Sequence, residues 1–120
     1  MRNDDVLQMY AENPDGTVRK VSLAEFVNLY GDETVDTRRV AYDEIDGRYR
    51  VSTMFMGMNC GLSYRNLRGP LLYETMVFDG ESESLDCSRY HTRAEALEGH
   101  ADMLAKWRCE AYKNPNSRDT

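Results

Sequence analysis

Along this chain apolar and polar residues alternate in short runs, and the period lengthens to three or four residues twice. Val6 to Tyr10 is a brief apolar run, Asn13-Pro14-Asp15-Gly16 is turn chemistry, and Thr17 to Val21 follows. Pro presets φ, Asp caps the turn and Gly supplies a positive φ, so this stretch predicts a hairpin. Ser22 with Glu25 three residues later forms a capping-box pattern ahead of Leu23, Phe26, Val27 and Tyr30, whose spacing predicts a short amphipathic helix. Gly31 is placed to end it as the residue just past the cap.

Arg38 to Ile45 and Arg48 to Met58 read as strands joined by Asp46-Gly47, one of the strongest hairpin signals. In the second arm Tyr49, Val51, Thr53 and Phe55 share one face, and Ser52, Met54, Met56 and Met58 the other. Both faces are largely apolar toward its end, which predicts a central strand covered on both sides. Asn59 to Pro70 reads as a loop, Leu71 to Phe78 as a strand, Asp79 to Asp86 as a polar connector and Cys87 to His91 as a last short strand. Thr92 with Glu95 opens a second helix, running to about Tyr112 or Lys113, with the stripe Leu97, Ala101, Leu104, Trp107 and Ala111 and with Ala94, His100 and Met103 alongside.

Strands joined by tight turns favour an antiparallel meander. The expected fold class is therefore α+β: an antiparallel sheet of about five to six strands with two helices packed on one face. The chain has 120 residues, which suits one domain, expected over 1–113, with 114–120 a disordered tail that has nothing to bury. Hydrophobic residues make up 41%, too many for a disordered chain.

The 21 acidic residues against 15 basic ones leave a net charge of −6, the wrong sign for a general nucleic-acid binder. Only three of the 15 basic residues are Lys, and Arg is the better partner for the protein's own carboxylates and aromatic rings. Met1 to Asp5 lacks the apolar core of a signal peptide and no apolar run is long enough for a membrane span, so a soluble, intracellular protein is expected. Cys60, Cys87 and Cys109 show no CxxC spacing, so reduced thiols are expected, with neither a metal nor a cofactor implied.

The candidates for chemistry are sparse. His91 and His100 lack the spacing of a helical metal pair, and the plainer reading makes both structural, His91 at a strand end and His100 at the edge of the helix–sheet contact. Glu74 lies inside an apolar strand, where a carboxylate must be paired or solvated; the plainer reading pairs it with an Arg of a neighbouring strand such as Arg39 or Arg50. Asp43, Glu44 and Asp46 read as solvated near a hairpin tip. Met54, Met56, Met58 and Met76 are ordinary core filler or an adaptable partner surface. Asp79, Glu81, Glu83 and Asp86, with Asp32, Glu33 and Asp36, are a candidate acidic row that mimics phosphates toward a basic partner. Tyr64 and Arg65, in the loop between Gly61 and Gly69, complete the candidate partner-binding residues. No catalytic set is assigned.

The segments Arg50 to Met58 and Gly69-Pro70-Leu71-Leu72-Tyr73-Glu74-Thr75-Met76-Val77-Phe78 resemble a group of small, largely uncharacterised proteins of bacteriophages and prophages. The resemblance runs on through Arg89 to Met103 and weakly backwards to Asn13, with Pro70 to Phe78 its specific part. Similar sequences carry Asp-His at the place of Asn59-Cys60 and a glycine-rich loop in place of Leu62 to Arg68. The resemblance implies a phage origin and a location in the cytoplasm of an infected bacterium. The functional expectation is a non-enzymatic accessory protein that binds and modulates or inhibits a basic host or defence protein, anti-CRISPR-like by analogy of setting, without binding nucleic acid itself and with a homodimer open. The alternatives are a small enzyme or nucleotide-binding protein built on Glu74, His91 and His100, or a phage assembly component.

Overall fold

A computed structural model describes residues 8–31, 37–59, 69–80 and 84–113. The order is β1 (Gln8–Glu12), β2 (Val18–Val21), α1 (Leu23–Tyr30), β3 (Arg39–Ile45), β4 (Tyr49–Phe55), β5 (Met58–Asn59), β6 (Tyr73–Asp79), β7 (Ser84–Tyr90) and α2 (Arg93–Lys113). The class is α+β and every strand pair is antiparallel. The strands form two sheets rather than one: a four-stranded meander in the order β3-β4-β6-β7 and a three-stranded sheet in the order β2-β1-β5. The tail 114–120 lies outside the described residues.

Local signals in the sequence account for the elements. Asp15 accepts from the Thr17 amide at 3.0 Å and closes the first turn. Asp46 and Gly47 both take positive φ, 55° and 65°, in the turn that the Arg48 amide closes on the Ile45 carbonyl at 2.9 Å. Ser22 caps α1 by accepting from the Glu25 amide at 3.1 Å, while Glu25 itself faces Arg19 at 3.4 Å instead of reaching back. Thr92 caps α2 the same way, and Glu95 accepts from the His91 amide at 3.1 Å. Gly31 differs from expectation: its φ is −85°, so α1 ends through a Gly31 amide bond to the Val27 carbonyl and not through a left-handed residue.

The expected long strand Arg48 to Met58 breaks at Gly57, whose φ is +72°. A Cβ there would stand 2.8 Å from the Phe26 ring and 3.0 Å from the Tyr10 carbonyl oxygen, so only glycine lets the chain leave one sheet at this point. Tyr10 donates its amide to the Gly57 carbonyl at 2.8 Å, and Met58 then pairs with Met9 in the second sheet.

One face of the meander carries the core. Tyr49, Val51, Thr53 and Phe55 of β4 and Tyr73, Thr75 and Val77 of β6 are buried there beneath α2. Tyr49, Val51, Val77, Met103 and Ala111 form one cluster, with Trp107 packed against it; Phe55, Leu72, Tyr73, Tyr10 and Ala96 form another. The α1 ring of Tyr30 stands 5.7 Å from Phe55, so the short helix reaches the same face at its far end. The buried stripe of α2 is Ala96, His100, Met103 and Ala111, with Leu104 and Trp107 half-buried. It is rotated from the expected stripe: Leu97 and Ala101 are exposed. Gly99 lets the Tyr90 ring lie against the helix backbone. In α1 only Phe26 is buried, and Leu23 and Val27 are exposed.

Candidate functional site

Strand register builds the second face of the meander, opposite α2, in three cross-strand rows. Arg39, Met54, Glu74 and Arg89 stand side by side in the first, Tyr42, Ser52, Met76 and Cys87 in the second, and Glu44, Arg50, Phe78 and Ser84 in the third. Two irregularities set this alignment: Val40 is the extra residue between Arg39 and Ala41, and Leu85 the extra one between Ser84 and Asp86. Among the described residues no element covers this face. Its residues on β4 and β6 are half-buried, and Met54, Met56 and Met76 line a groove of about 170 Å3 with Arg38, Glu74 and Phe78.

Arginine frames the groove. The Arg39 guanidinium lies 4.4 Å from the Tyr42 ring centre and that of Arg50 4.8 Å from Phe78, both stacked as cations on aromatic faces. Arg50 also donates to the Gly80 carbonyl at 2.6 Å. Glu74 faces outward and accepts from Arg89 Nε at 3.0 Å, so it pairs with an arginine of a neighbouring strand as expected, Arg89 of β7 in place of Arg39 or Arg50. The Glu74 side chain is only 11% exposed, because Arg89 and the methionines shield it.

A buried polar relay occupies the opposite, covered face. His100 is buried and not at the edge of the helix–sheet contact; its Nε2 is 2.9 Å from Asp43 Oδ2 and its Nδ1 2.7 Å from Thr53 Oγ1, which in turn lies 2.5 Å from Thr75 Oγ1. Asp43 is thus a partner for the histidine, although its own carboxylate is about half exposed. A carboxylate can only accept, so Nε2 carries the proton in the neutral ring; Thr53 then donates to Nδ1 and Thr75 to Thr53. Each of the four side chains has a hydrogen-bond partner within the relay, which ties α2 to β3, β4 and β6.

A wider groove of about 530 Å3 runs between the β1–β2 hairpin and the start of α2. The polar groups beside it close on one another: Tyr73 donates its hydroxyl to Glu12 at 2.6 Å, Arg93 donates to the same carboxylate at 3.0 Å, and Tyr30 accepts the Glu12 amide at 3.1 Å. Burial, together with that hydrogen bond, raises the Tyr73 hydroxyl pKa far above the ordinary tyrosine value.

Glu74, His91 and His100 do not converge. Glu74 is on the open face, His100 is on the covered one, and His91 Nδ1 sits 3.2 Å from the Pro70 carbonyl at the end of β7. Of the acidic row, Asp79 pairs with Arg48 at 3.6 Å, and Asp86 accepts from Lys106 at 2.6 Å and from Trp107 Nε1 at 3.0 Å. Lys106 and then Trp107 hold the Asp86 pKa below the ordinary aspartate value. Glu81, Glu83, Asp32, Glu33, Asp36, Tyr64 and Arg65 lie outside the described residues. Among the described residues no three His, Cys, Asp or Glu side chains are grouped to hold a metal, and no helix is long and apolar enough to cross a membrane. Cys87 and Cys109 are free thiols.

Sequence reasoning missed the arginine frame and the Asp43–His100 pair. Alternation held the signal for Asp43: it shares strand parity with Ala41 and Ile45, which puts it on the covered face. The alignment of Arg39 and Arg89 with Glu74 depends on the two bulges, for which residue pattern carries no signal. Comparison of the chain with protein-family models, with curated proteins and with solved structures finds no match.

Proposed function

We propose that this protein works by binding another protein across the open face of its four-stranded sheet, as a non-enzymatic accessory factor that modulates or inhibits a host or defence protein of the infected bacterium. The observation that carries this reading is the methionine groove between Arg38, Glu74 and Phe78 on a sheet face that no described element covers. Methionine side chains repack easily, which suits a surface that must fit a partner. The scattered positions of Glu74, His91 and His100 supply no reacting set for the enzymatic alternative.

Tagged wild type and the Met54→Glu/Met76→Glu variant, each confirmed folded by its thermal melt, would be used to capture proteins from infected-cell lysate. The expected result is a stoichiometric protein retained by the wild type and lost from the variant. A partner held equally by both refutes the reading. Met76→Gln, a milder change at the same spot, keeps the test decisive where the double variant fails to fold.

A further inference from the structure

His100 puts a titratable ring where a helix–sheet contact ordinarily carries an apolar residue. Its side chain is 6% exposed, and the turns of α2 on either side present Ala96 and Met103 to the same sheet. Hydrogens and acceptors in the relay balance only while the ring is neutral. Three hydrogens, on Thr75 Oγ1, Thr53 Oγ1 and His100 Nε2, then meet three acceptors, Thr53 Oγ1, His100 Nδ1 and Asp43 Oδ2. A further hydrogen on Nδ1 turns that acceptor into a donor. Thr53 must then accept from the ring and give its own hydrogen to Thr75, which leaves the Thr75 hydrogen without an acceptor. Thr75 is fully buried, and among the described residues its hydroxyl bonds to Thr53 alone; Ser88, which faces it across the β6–β7 pair, forms no hydrogen bond with it. A buried donor without an acceptor forfeits its hydration with nothing in return.

We infer that the relay is a pH-sensitive catch: it holds α2 on the meander while His100 is neutral, and proton uptake by the ring weakens that hold. The opposing effect is attraction between an imidazolium and the Asp43 carboxylate 2.9 Å away. That carboxylate is 47% exposed, so solvent screens the attraction, while the ring itself gives up nearly all of its water. Among the described residues, the other titratable side chains on this face do not offset the charge. Tyr49 of β4, Tyr73 of β6 and Tyr90 of β7 are neutral at the pH values concerned. Asp86 of β7 is committed to Lys106 and Trp107, six and seven residues further along α2, or about 9 Å and more from His100. On α2 itself Glu98 and Asp102 are exposed, off the buried stripe. The unfolded chain takes up this proton near the ordinary histidine value of about 6.5, so a fold that resists the proton loses stability as pH falls through that value.

The test is the folding equilibrium of the full chain, from urea melts at about pH 7.5 and about pH 5.5, in wild type and in His100→Gln, whose side chain does not titrate. His91 titrates in both proteins and cancels in the difference. The wild-type folding constant is expected to fall about tenfold more than that of His100→Gln, the limit for one proton bound by the unfolded chain alone. Asp43→Asn keeps an acceptor for Nε2 and removes the charge, and is expected to show a loss at least as large as that of wild type. Equal losses in wild type and His100→Gln overturn the proposal. A smaller loss in wild type also overturns it, in favour of an imidazolium–Asp43 ion pair that fastens α2 in acid. Where His100→Gln fails to fold, nitrogen NMR on the wild-type imidazole decides: a His100 ring still mostly neutral in the folded protein at about pH 5.5 supports the catch, and one mostly protonated there overturns it.

Discussion

Replacing Gly99 by alanine sets helix propensity directly against packing. Gly99 lies inside the 21-residue helix α2, where alanine is intrinsically better than glycine by about 1 kcal/mol, so a purely local argument predicts stabilisation. The tertiary structure predicts the reverse. A Cβ at Gly99 would fall 2.2 Å from Cε1 and Cζ of Tyr90 and 2.3 Å from its hydroxyl oxygen. Ordinary contact needs roughly 3.5 to 4.0 Å, so the ring must retreat by more than about 1 Å. Tyr90 packs against the cluster of Phe55, Leu72, Tyr73 and Ala96, and its carbonyl accepts the Leu72 amide at 3.0 Å, so the ring has little freedom to withdraw without opening that cluster. Overpacking of this kind costs about 1 to 3 kcal/mol, and after the propensity gain the net change is expected to be about 1 kcal/mol of destabilisation. Urea melts of four proteins decide the matter: wild type, Gly99→Ala, Tyr90→Ala and the double variant. In the Tyr90→Ala background the clash is gone, and Gly99→Ala is then expected to stabilise by up to about 1 kcal/mol. A rise in stability from Gly99→Ala in the wild-type background would refute the packing argument.

The relay on the covered face yields a second prediction: His100→Ala leaves the buried Thr53 hydroxyl without its acceptor and opens a cavity under α2, at an expected cost of about 2 to 4 kcal/mol in urea melts. Nitrogen NMR on the imidazole at neutral pH is expected to show the proton on Nε2, and finding it on Nδ1 alone would reverse the assigned direction of the relay. Trp107→Ala, which removes the ring beside Tyr49 and a donor to Asp86, is expected to cost about 3 kcal/mol. Because the folded protein lowers the Asp86 pKa, its contribution to stability is fully present above the ordinary aspartate value near pH 3.9 and is lost as pH falls through the lowered value. Acid titration of stability in wild type and Asp86→Asn checks this, the expected outcome being a shallower acid slope in the variant.

The turns, the caps and the strand and helix types were legible in the sequence because their causes lie within a few residues. Asp46-Gly47 makes a hairpin since those two residues tolerate positive φ, and Ser22 and Thr92 begin helices since their hydroxyls reach an amide three residues on. Alternation in β4 correctly separated Tyr49, Val51, Thr53 and Phe55 from Ser52, Met54 and Met56. What alternation leaves open is which face the rest of the fold covers. Here α2 covers one face, and the methionines, read as core filler or as an adaptable partner surface, line a groove on the other. Partners across strands were equally illegible, since a single extra residue shifts every later pairing, and the bulges at Val40 and Leu85 are what align Arg39 and Arg89 with Glu74. The close approach of rings to glycine, Phe26 and Phe55 at Gly57 where the chain leaves the first sheet and Tyr90 at Gly99 in α2, likewise involves residues distant in sequence or in another element. Sequence alone thus determined where the backbone turns and caps, which are short-range energies; the assembled tertiary structure decided which apolar face is buried and which charges meet, because those energies exist only once distant segments are brought together.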